Sequence, residues 1–459
     1  MKNLTLKNLA LACSGTYVGP KEMEDKEVTC IFTDSRKAEA GGLFVPIKGA
    51  RVDAHDFIEQ VMEKAVLATL SEKDLGEKPF PYILVKSSLI AVKDIAEFYL
   101  KQLQIPVVGI TGSVGKTSTK EVIASVLAQK YNTLKTQGNF NNELGLPLTI
   151  FRLRDEHEMA VLEMGISDFG EMHRLAKIAR PNTCVITNIG LCHLEFLKSR
   201  DGILKAKTEI FDYLQPDGHI ILNGDDDKLV TVQEAKGIKP VFFGVENHQG
   251  IWADEIKPEG LKGISCRIHA GEDRFSVLIP VPGKHSVYNA LAATAVGLTY
   301  GLTIEEIRKG IESLQSVSGR FHIIEAPNYT VIDDCYNANP ISMKASLDVL
   351  TDALGRKVAI LGDMGELGAD ERKMHKEVGK HAAEKEIDVL LCVGELSKDM
   401  ADAAGEVNSK TQVRHFANKE ALIQELPNIL EKGDTVLVKA SHFMEFGEIV
   451  QEIVEKNIC

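Results

Sequence analysis

The sequence predicts an α/β protein of three domains: a small N-terminal α/β domain, a central domain built on a parallel sheet, and a C-terminal Rossmann-like domain. The chain has 459 residues, and domains contain roughly 100–200 residues each. Hydrophobic residues make up 44% and charged residues 26% of it, which is a globular balance. Short apolar runs alternate with segments of helical spacing, the pattern of α/β folds.

The first predicted domain covers residues 1–100. Short apolar runs at 43–47 and 82–85 predict strands, because each is bounded by turn-forming residues. The segment 91–103 repeats apolar residues every three or four positions, which predicts a helix leading out of this domain.

The central domain is predicted over residues 101–316. It opens with an apolar strand at 105–110 and a helix at 116–130, and further strands follow at 160–162, 184–186, 219–222 and 241–245. Apolar strands alternating with helices predict a parallel sheet covered on both faces. Residues 251–282 are β-rich and predict an antiparallel flap or an extra sheet, before a helix at 285–300.

The third domain is predicted over residues 317–459. It follows a run of small residues at 316–320, SVSGR, which suits a hinge. Strands are predicted at 358–361, 389–393 and 435–438. We expect the third domain to close over the second by motion at this hinge.

Charge and cysteine usage exclude several functional classes. The net charge is −13, from 53 basic and 66 acidic residues, so no surface suits the wrapping of nucleic acid. The eight cysteines include no CxxC pair, which argues against a disulfide framework and indicates a reducing compartment. The apolar run at 9–13 is too short for a signal peptide, and no run of 18 apolar residues exists. We expect a cytoplasmic protein without stable membrane insertion.

A glycine-rich turn after the first central strand predicts a phosphate-binding loop. Gly112 and Gly115 let backbone N–H groups close around a phosphate, and the helix that follows adds partial positive charge. Lys116 can reach the β- and γ-phosphates of a nucleotide, and Thr117 can bind Mg²⁺. Ile110 occupies the position of the first glycine in the full Walker pattern, but the GxxGKT core is complete. The central domain is therefore predicted to be a P-loop-type ATPase domain.

Two further side chains follow strands of the same sheet. Glu163 and His193 come after predicted strand ends, and these ends face the ligand crevice in open α/β sheets. Together they could hold a second Mg²⁺, although histidine is an unusual ligand for this ion. The alternative is a surface histidine and a solvated glutamate. Spacing alone makes Lys207 a solvated residue of a predicted helix.

A series of motifs in fixed order resembles the Mur ligase family, the ATP-dependent amide-forming enzymes of bacterial cell-wall precursor synthesis. The resemblance spans nearly the whole chain. Its motifs lie at residues 111–117, 138–145, 162–165, 187–190 with His193, 206–207, 283–290, 319–320 and 361–368.

Within that family, the run DDCYNANP at 333–340 is similar to members that add D-alanyl-D-alanine to a UDP-N-acetylmuramoyl tripeptide. The motifs at 33–36, 42–48 and 53–55 resemble the UDP-substrate module that these members share with the tripeptide-forming ones. The resemblance therefore implies an ADP-forming ligase of peptidoglycan synthesis, and so a role in cell shape and cell division. The reaction would pass through an acyl phosphate made from ATP with Mg²⁺.

The resemblance also implies roles for individual residues. It assigns catalysis to Lys116, His193 and Lys207. It assigns ATP binding to Gly112, Ser113, Gly115, Lys116, Thr117, Ser118, Asn289, Arg320 and Asp334. It assigns substrate binding to Ser35, Arg36, Asn141, Asn142, Tyr336, Asn337 and Asn339. It assigns Mg²⁺ to Thr117, Glu163, His193 and a carbamylated Lys207.

Alternative functions come from neighbouring classes. One is a sibling ligase that adds a single amino acid, or a folate-type polyglutamate ligase; another is a regulatory P-loop NTPase. We expect a monomer. The sequence leaves open whether the third peptide residue is lysine or diaminopimelate, which group deprotonates the incoming amine, and whether the domains are open or closed.

Overall fold

The computed structural model describes residues 1–49, 51–315, 318–407 and 410–455. The described residues form three β-sheets, each with helices packed against it. This confirms the predicted α/β class with three sheet-containing regions. In the described ranges, no helix is long and apolar enough to cross a membrane.

The first sheet has five short strands in the order β1-β5-β4-β3-β2. They are β1 Thr16–Val18, β2 Ile31–Phe32, β3 Leu43–Phe44, β4 Ala68–Ser71 and β5 Tyr82–Leu84. The helices of this region are α1 Leu6–Ala12, α2 Ile58–Met62 and α3 Ser88–Leu103. Helix α3 begins three residues before the predicted start because the Ser87 side chain caps it by accepting from Ile90 N.

The central sheet has nine strands in the order β14-β13-β12-β11-β10-β9-β6-β8-β7. They are β6 Val107–Thr111, β7 Thr133–Lys135, β8 Met159–Glu163, β9 Thr183–Ile186, β10 His219–Asn223, β11 Val241–Gly244, β12 Ile251–Pro258, β13 Ile264–Ala270 and β14 Asp273–Ile279. Strands β6 to β11 are parallel, as predicted.

The β-rich segment at 251–282 is neither a separate sheet nor a flap. Strand β12 pairs in parallel with β11, and β13 and β14 continue the same sheet antiparallel. Alternate residues of β13 are buried, because this end of the sheet packs against the same helices as the parallel strands. The sequence pattern showed the strands but not the sheet to which they belong.

Seven helices of the described chain cover the central sheet: α4 Lys116–Leu127, α5 Gly145–Ile150, α6 Glu171–Ala179, α7 Leu194–Leu197, α8 Arg200–Thr208, α9 Lys284–Thr299 and α10 Ile304–Glu312. One core contains α4, α9 and α10, and the other contains α3, α5, α6 and α8. Helix α4 ends before the predicted residue 130, because Gln129 N and Lys130 N bond three residues back in a tighter turn.

The third sheet has six strands in the order β15-β16-β20-β17-β18-β19. They are β15 His322–Glu325, β16 Thr330–Asp333, β17 Lys357–Gly362, β18 Val389–Val393, β19 Gln412–Phe416 and β20 Thr435–Lys439, and β15 alone is antiparallel among them. Its helices are α11 Pro340–Thr351, α12 Glu371–Glu384, α13 Ser397–Gly405, α14 Lys419–Ile429 and α15 Gly447–Glu455. Of the predicted hinge, residues 316 and 317 lie outside the described residues.

Candidate active site

The predicted phosphate loop joins β6 to α4. Gly112 and Gly115 have φ angles of +151° and +82°, which L side chains rarely adopt. A Cβ on Gly112 would lie 1.9 Å from Thr187 Oγ1, so glycine is required there. Lys116 begins α4, and its Nζ donates to the Gly112 carbonyl at 3.0 Å. The loop therefore has the backbone form that the sequence predicted.

Residues after β9 hold this loop in place. Val114 N donates to Asn188 Oδ1 at 3.0 Å, and Asn188 Nδ2 donates back to the Val114 carbonyl at 2.9 Å. Thr187 Oγ1 donates to the same carbonyl at 2.6 Å. Sequence reasoning had given these two side chains no role, although a polar pair directly after a buried strand is a usable signal.

Glu163 ends β8 and is 2% exposed. Asn141 Nδ2 donates to its Oε1 at 2.8 Å. In the described structure its other oxygen, Oε2, is buried without a hydrogen-bond partner. A buried carboxylate oxygen without a partner is costly, and its carboxylate chemistry fits a divalent cation.

A buried lysine that the sequence analysis missed lies beside this carboxylate. Lys120 Nζ is 3.9 Å from Glu163 Oε2 and 3.0 Å from Glu121 Oε1, and it donates to the Thr136 carbonyl at 2.8 Å. From the sequence it resembles a surface residue of α4. Only the packing of α4 on the sheet reveals that it is buried.

His193 directly precedes α7, and Lys207 lies on α8. His193 adopts a φ of +50°, and its Nδ1 is 3.2 Å from Glu366 Oε2 of the third domain. Burial lowers the pKa of His193. Lys207, on α8, is 1% exposed, and its burial, reinforced by the positive charge of Lys116, lowers its pKa to about 7. This burial contradicts the solvated position that spacing alone suggested, and the metal-binding role that the family resemblance implies stays a prediction.

No preassembled metal site is visible within the described ranges, where no three His, Cys, Asp or Glu side chains form a group that could hold a metal ion. A magnesium ion would therefore need oxygens of the nucleotide in addition to side chains such as the Thr117 hydroxyl and the Glu163 carboxylate, because oxygen ligands are those that this ion prefers.

Arg320 reaches from the third domain to the phosphate loop. Its Nη2 donates to Thr117 Oγ1 at 3.2 Å, and its guanidinium lies 3.9 Å from the centre of the Tyr336 ring. The stacking orients a permanent cation toward the loop. Asn289 faces the loop from α9, where its Oδ1 accepts from Thr119 Oγ1 at 2.8 Å.

Asp334 follows β16 at the facing edge of the third sheet. Its Oδ2 accepts from Lys439 Nζ at 2.5 Å and from Ser346 Oγ at 2.7 Å, and its Oδ1 accepts from Phe321 N at 3.2 Å. Lys439, at the end of β20, is 3% exposed and was missed by the sequence analysis. The carboxylate is therefore held in one position by three donors.

A cavity of about 710 Å³ lies between the central and third sheets. Most predicted site residues line it: Ser113, Gly115, Lys116, Thr117, Ser118, Asn141, Glu163, Asn289, Arg320, Asp334, Tyr336, Asn337 and Asn339. Those that the lining of this cavity does not include are Gly112, Asn142, His193, Lys207, Ser35 and Arg36.

The residues outside the lining have other positions in the structure. Asn142 Oδ1 accepts from Leu144 N and Gly145 N at the start of α5. Ser35 and Arg36 lie in a short 3₁₀ turn of the first domain, where Arg36 pairs with Asp34 at 2.7 Å and is 87% exposed at its side chain.

Three family models match consecutive parts of the chain. The Mur ligase family catalytic domain matches residues 27–115, the Mur ligase middle domain 110–297, and the Mur ligase glutamate ligase domain 319–442.

Individual relatives match over the full length. UDP-N-acetylmuramoyl-tripeptide–D-alanyl-D-alanine ligase of Bacillus subtilis is 39% identical over 99% of each chain, and that of Escherichia coli is 36% identical over 100% of each. Among solved structures, MurF from Acinetobacter baumannii aligns with a TM-score of 0.89 at 33% identity over 98% of each chain. MurF ligase from Thermotoga maritima in complex with ADP aligns with 0.82 at 29% identity over 93% of this chain and 98% of that one. Because these matches agree with the motif order and with the cavity, the chain belongs to the Mur ligase family.

Proposed function

We propose that this chain is an ATP-dependent, ADP-forming ligase that joins D-alanyl-D-alanine to UDP-N-acetylmuramoyl-tripeptide. The observation that carries the proposal is the cavity between the central and third sheets. In it the phosphate loop lies together with Arg320 of the third domain and with the Glu163 oxygen that has no hydrogen-bond partner in the described structure. Full-length relatives named for this reaction support it at 36–39% identity.

The chemistry explains why one cavity must serve both ATP and a peptide. A carboxylate does not react with an amine, because its leaving group would be oxide. Transfer of the γ-phosphoryl group of ATP to the carboxylate gives an acyl phosphate and releases ADP. The neutral amine then attacks the carbonyl carbon: the C–N bond forms, the C–O bond to the phosphoryl group breaks, and phosphate and a proton are released. Catalysis of such a step is mainly positioning and charge neutralisation.

The cations of the cavity suit this task. Lys116 is part of the loop, and Arg320 reaches the loop from the third domain. A triphosphate bound there would therefore meet positive charge from both domains. Thr117 and Glu163 would hold Mg²⁺, together with His193. The ion would neutralise charge that builds up between the two anionic reactants.

Lys207 would complete the metal site as a carbamate. Among the described residues no carboxylate acts on its Nζ, and a pKa of about 7 leaves much of the amine neutral at neutral pH. Only a neutral amine adds to carbon dioxide. The product carries the oxygen ligands that Mg²⁺ prefers.

The remaining residues would bind the organic parts of the substrates. Asn289 would face adenine and Asp334 the ribose, while Tyr336, Asn337 and Asn339, with Asn141 and Asn142, would face the peptides. Ser35 and Arg36 would bind the UDP end from the first domain. We propose domains over residues 1–100, 101–316 and 317–459, in a monomer.

Mass spectrometry of the reaction products tests the proposal. The chain is incubated with ATP, Mg²⁺, D-alanyl-D-alanine and one UDP-tripeptide, carrying lysine or diaminopimelate at the third position in separate reactions. We expect the UDP-pentapeptide and one ADP for each product molecule, with no product from Lys116→Ala.

Two results would contradict the proposal. Rapid ATP hydrolysis without any acceptor would indicate a regulatory NTPase. Product formation with single amino acids but not with the dipeptide would indicate a sibling ligase.

A further inference from the structure

One carboxylate of the cavity has no role in the mechanism above. Glu366 follows β17 at the edge of the third sheet that faces the phosphate loop, and it lines the cavity. Its φ is +59°, a strained value for a residue other than glycine. Its side chain is 76% exposed, so a ligand in the cavity can reach it.

Hydrogen bonds to other parts of the third domain fix the three residues before Glu366. Met364 N donates to Nε2 of the buried His375 at 2.9 Å, and Gly365 N donates to Ser441 Oγ at 2.9 Å. Asp363 accepts from both the backbone and the side chain of Ser397. The loop is thus held rigidly while the carboxylate that it presents remains accessible, which is the arrangement of a binding residue and not of a packing one.

The other two carboxylates that line the described cavity already lie beside a lysine of the protein. Asp334 accepts from Lys439, Ser346 and Phe321. Glu163 lies buried beside the phosphate loop, where Asn141 and Lys120 approach it. Glu366 contacts His193, which the family resemblance assigns to magnesium. Among the three, Glu366 is therefore the carboxylate best placed to receive a cation from a substrate.

The proposed reaction has one reactant whose reacting group arrives as a cation. ATP and the UDP-tripeptide bring phosphates and carboxylates to the centre, whereas the dipeptide brings an ammonium group. An ammonium ion is bound best by an ionised acceptor through charge-assisted hydrogen bonds. Resting on the proposed function, we propose that Glu366 binds the ammonium group of the incoming D-alanyl-D-alanine.

Steady-state kinetics of Glu366→Gln test this assignment. Glutamine keeps the size and hydrogen-bonding capacity but removes the charge, so we expect the KM for D-alanyl-D-alanine to rise at least about tenfold. The KM values for ATP and for the UDP-tripeptide should stay within about twofold of wild type. Glu366→Asp keeps the charge on a shorter side chain and should recover part of the loss. Glu384→Gln, at an exposed position of α12, is the matched control and should change nothing.

Hydroxylamine provides a second measurement that does not need the carboxylate. As an uncharged nucleophile it traps the acyl phosphate as a hydroxamate, so Glu366→Gln should form hydroxamate from ATP and UDP-tripeptide at the wild-type rate. A dipeptide KM that does not change would overturn the assignment. So would an equal rise in the KM for ATP or for the UDP-tripeptide, or a parallel loss of hydroxamate, since these would mark Glu366 as a contact between domains or a binder of the tripeptide. Failure of the wild type itself to use the dipeptide would instead refute the proposed function.

Discussion

Two buried lysines lie on opposite sides of the cavity, Lys207 on α8 outside the lining and Lys439 at the end of β20, and their charges are treated differently. On the central side, Lys207 is buried, no carboxylate among the described residues acts on its Nζ, and its pKa falls to about 7. On the third-domain side, Lys439 is equally buried but pairs with Asp334 at 2.5 Å. The charge of Lys207 is therefore suppressed by burial, whereas that of Lys439 is compensated by a carboxylate, as is that of Lys120 on the central side.

This difference helps to distinguish side chains that bind ligands from side chains that stabilise the fold. Glu163 Oε2 on the central edge is also buried without a hydrogen-bond partner in the described structure. A fold retains such groups at a cost in stability, so Glu163 and Lys207 indicate where ligands supply the missing partners. On the third-domain side Asp334 is compensated by Lys439, and among the described residues that line the cavity Glu366 is the exposed carboxylate.

The largest effect should come from the lysine of the phosphate loop. Lys116→Met keeps the length of the side chain but removes the cation that faces the loop, so turnover to product should fall about 10²–10³-fold. Lys205→Met, at an exposed position of α8, is the control and should match wild type. Product formation is measured by mass spectrometry. A loss of less than about threefold would mean that the positive charge of Lys116 contributes little to turnover.

The phosphate loop and its flanking elements could be predicted from the sequence because they depend on local backbone geometry. Gly112 adopts a φ of +151°, which favours glycine locally, and the fold adds Thr187, which a Cβ there would meet. Helix ends were less predictable: the last turn of α4 and the cap of α3 depend on single hydrogen bonds. The antiparallel strands β12 to β14 were visible as strands, but their sheet is decided by packing against α9.

Side chains whose role depends on distant partners could not be predicted. Lys120 and Lys439 had no predicted role, and Glu366 lies in the motif at 361–368 without a role of its own; only the fold brings the three to Glu163, Asp334 and His193. The roles of Lys207 and Arg320 were expected through family resemblance, because spacing carries no information about burial at 1% exposure or about a contact 203 residues away.

A second prediction concerns the compensated lysine. Lys439→Met leaves the Asp334 carboxylate, 13% exposed at its side chain, without its cation. Breaking a buried pair from one side destabilises a protein by about 3 kcal/mol, and urea unfolding followed by circular dichroism should show a loss of that order. The double variant Lys439→Met/Asp334→Asn removes both charges and should recover most of the loss. A single variant as stable as wild type would show that the pair is not a structural element of this edge.

The last prediction concerns the pH dependence of stability that Lys207 should cause. The pKa of Lys207 is about 7 in the folded chain but has its ordinary value of 10.5 in the unfolded chain. The unfolded state therefore binds more protons between these two pH values. Stability in metal-free, carbonate-free buffer should therefore gain a positive slope with pH above about 7. Lys207→Met should lack this contribution, and Lys205→Met should retain it. Added ¹³C-bicarbonate at pH 8 should give a carbamate signal that is absent from Lys207→Met. Equal pH profiles for wild type and Lys207→Met would mean that Lys207 stays charged in the folded chain. Lys207 and Lys439 would then not differ in the way proposed above.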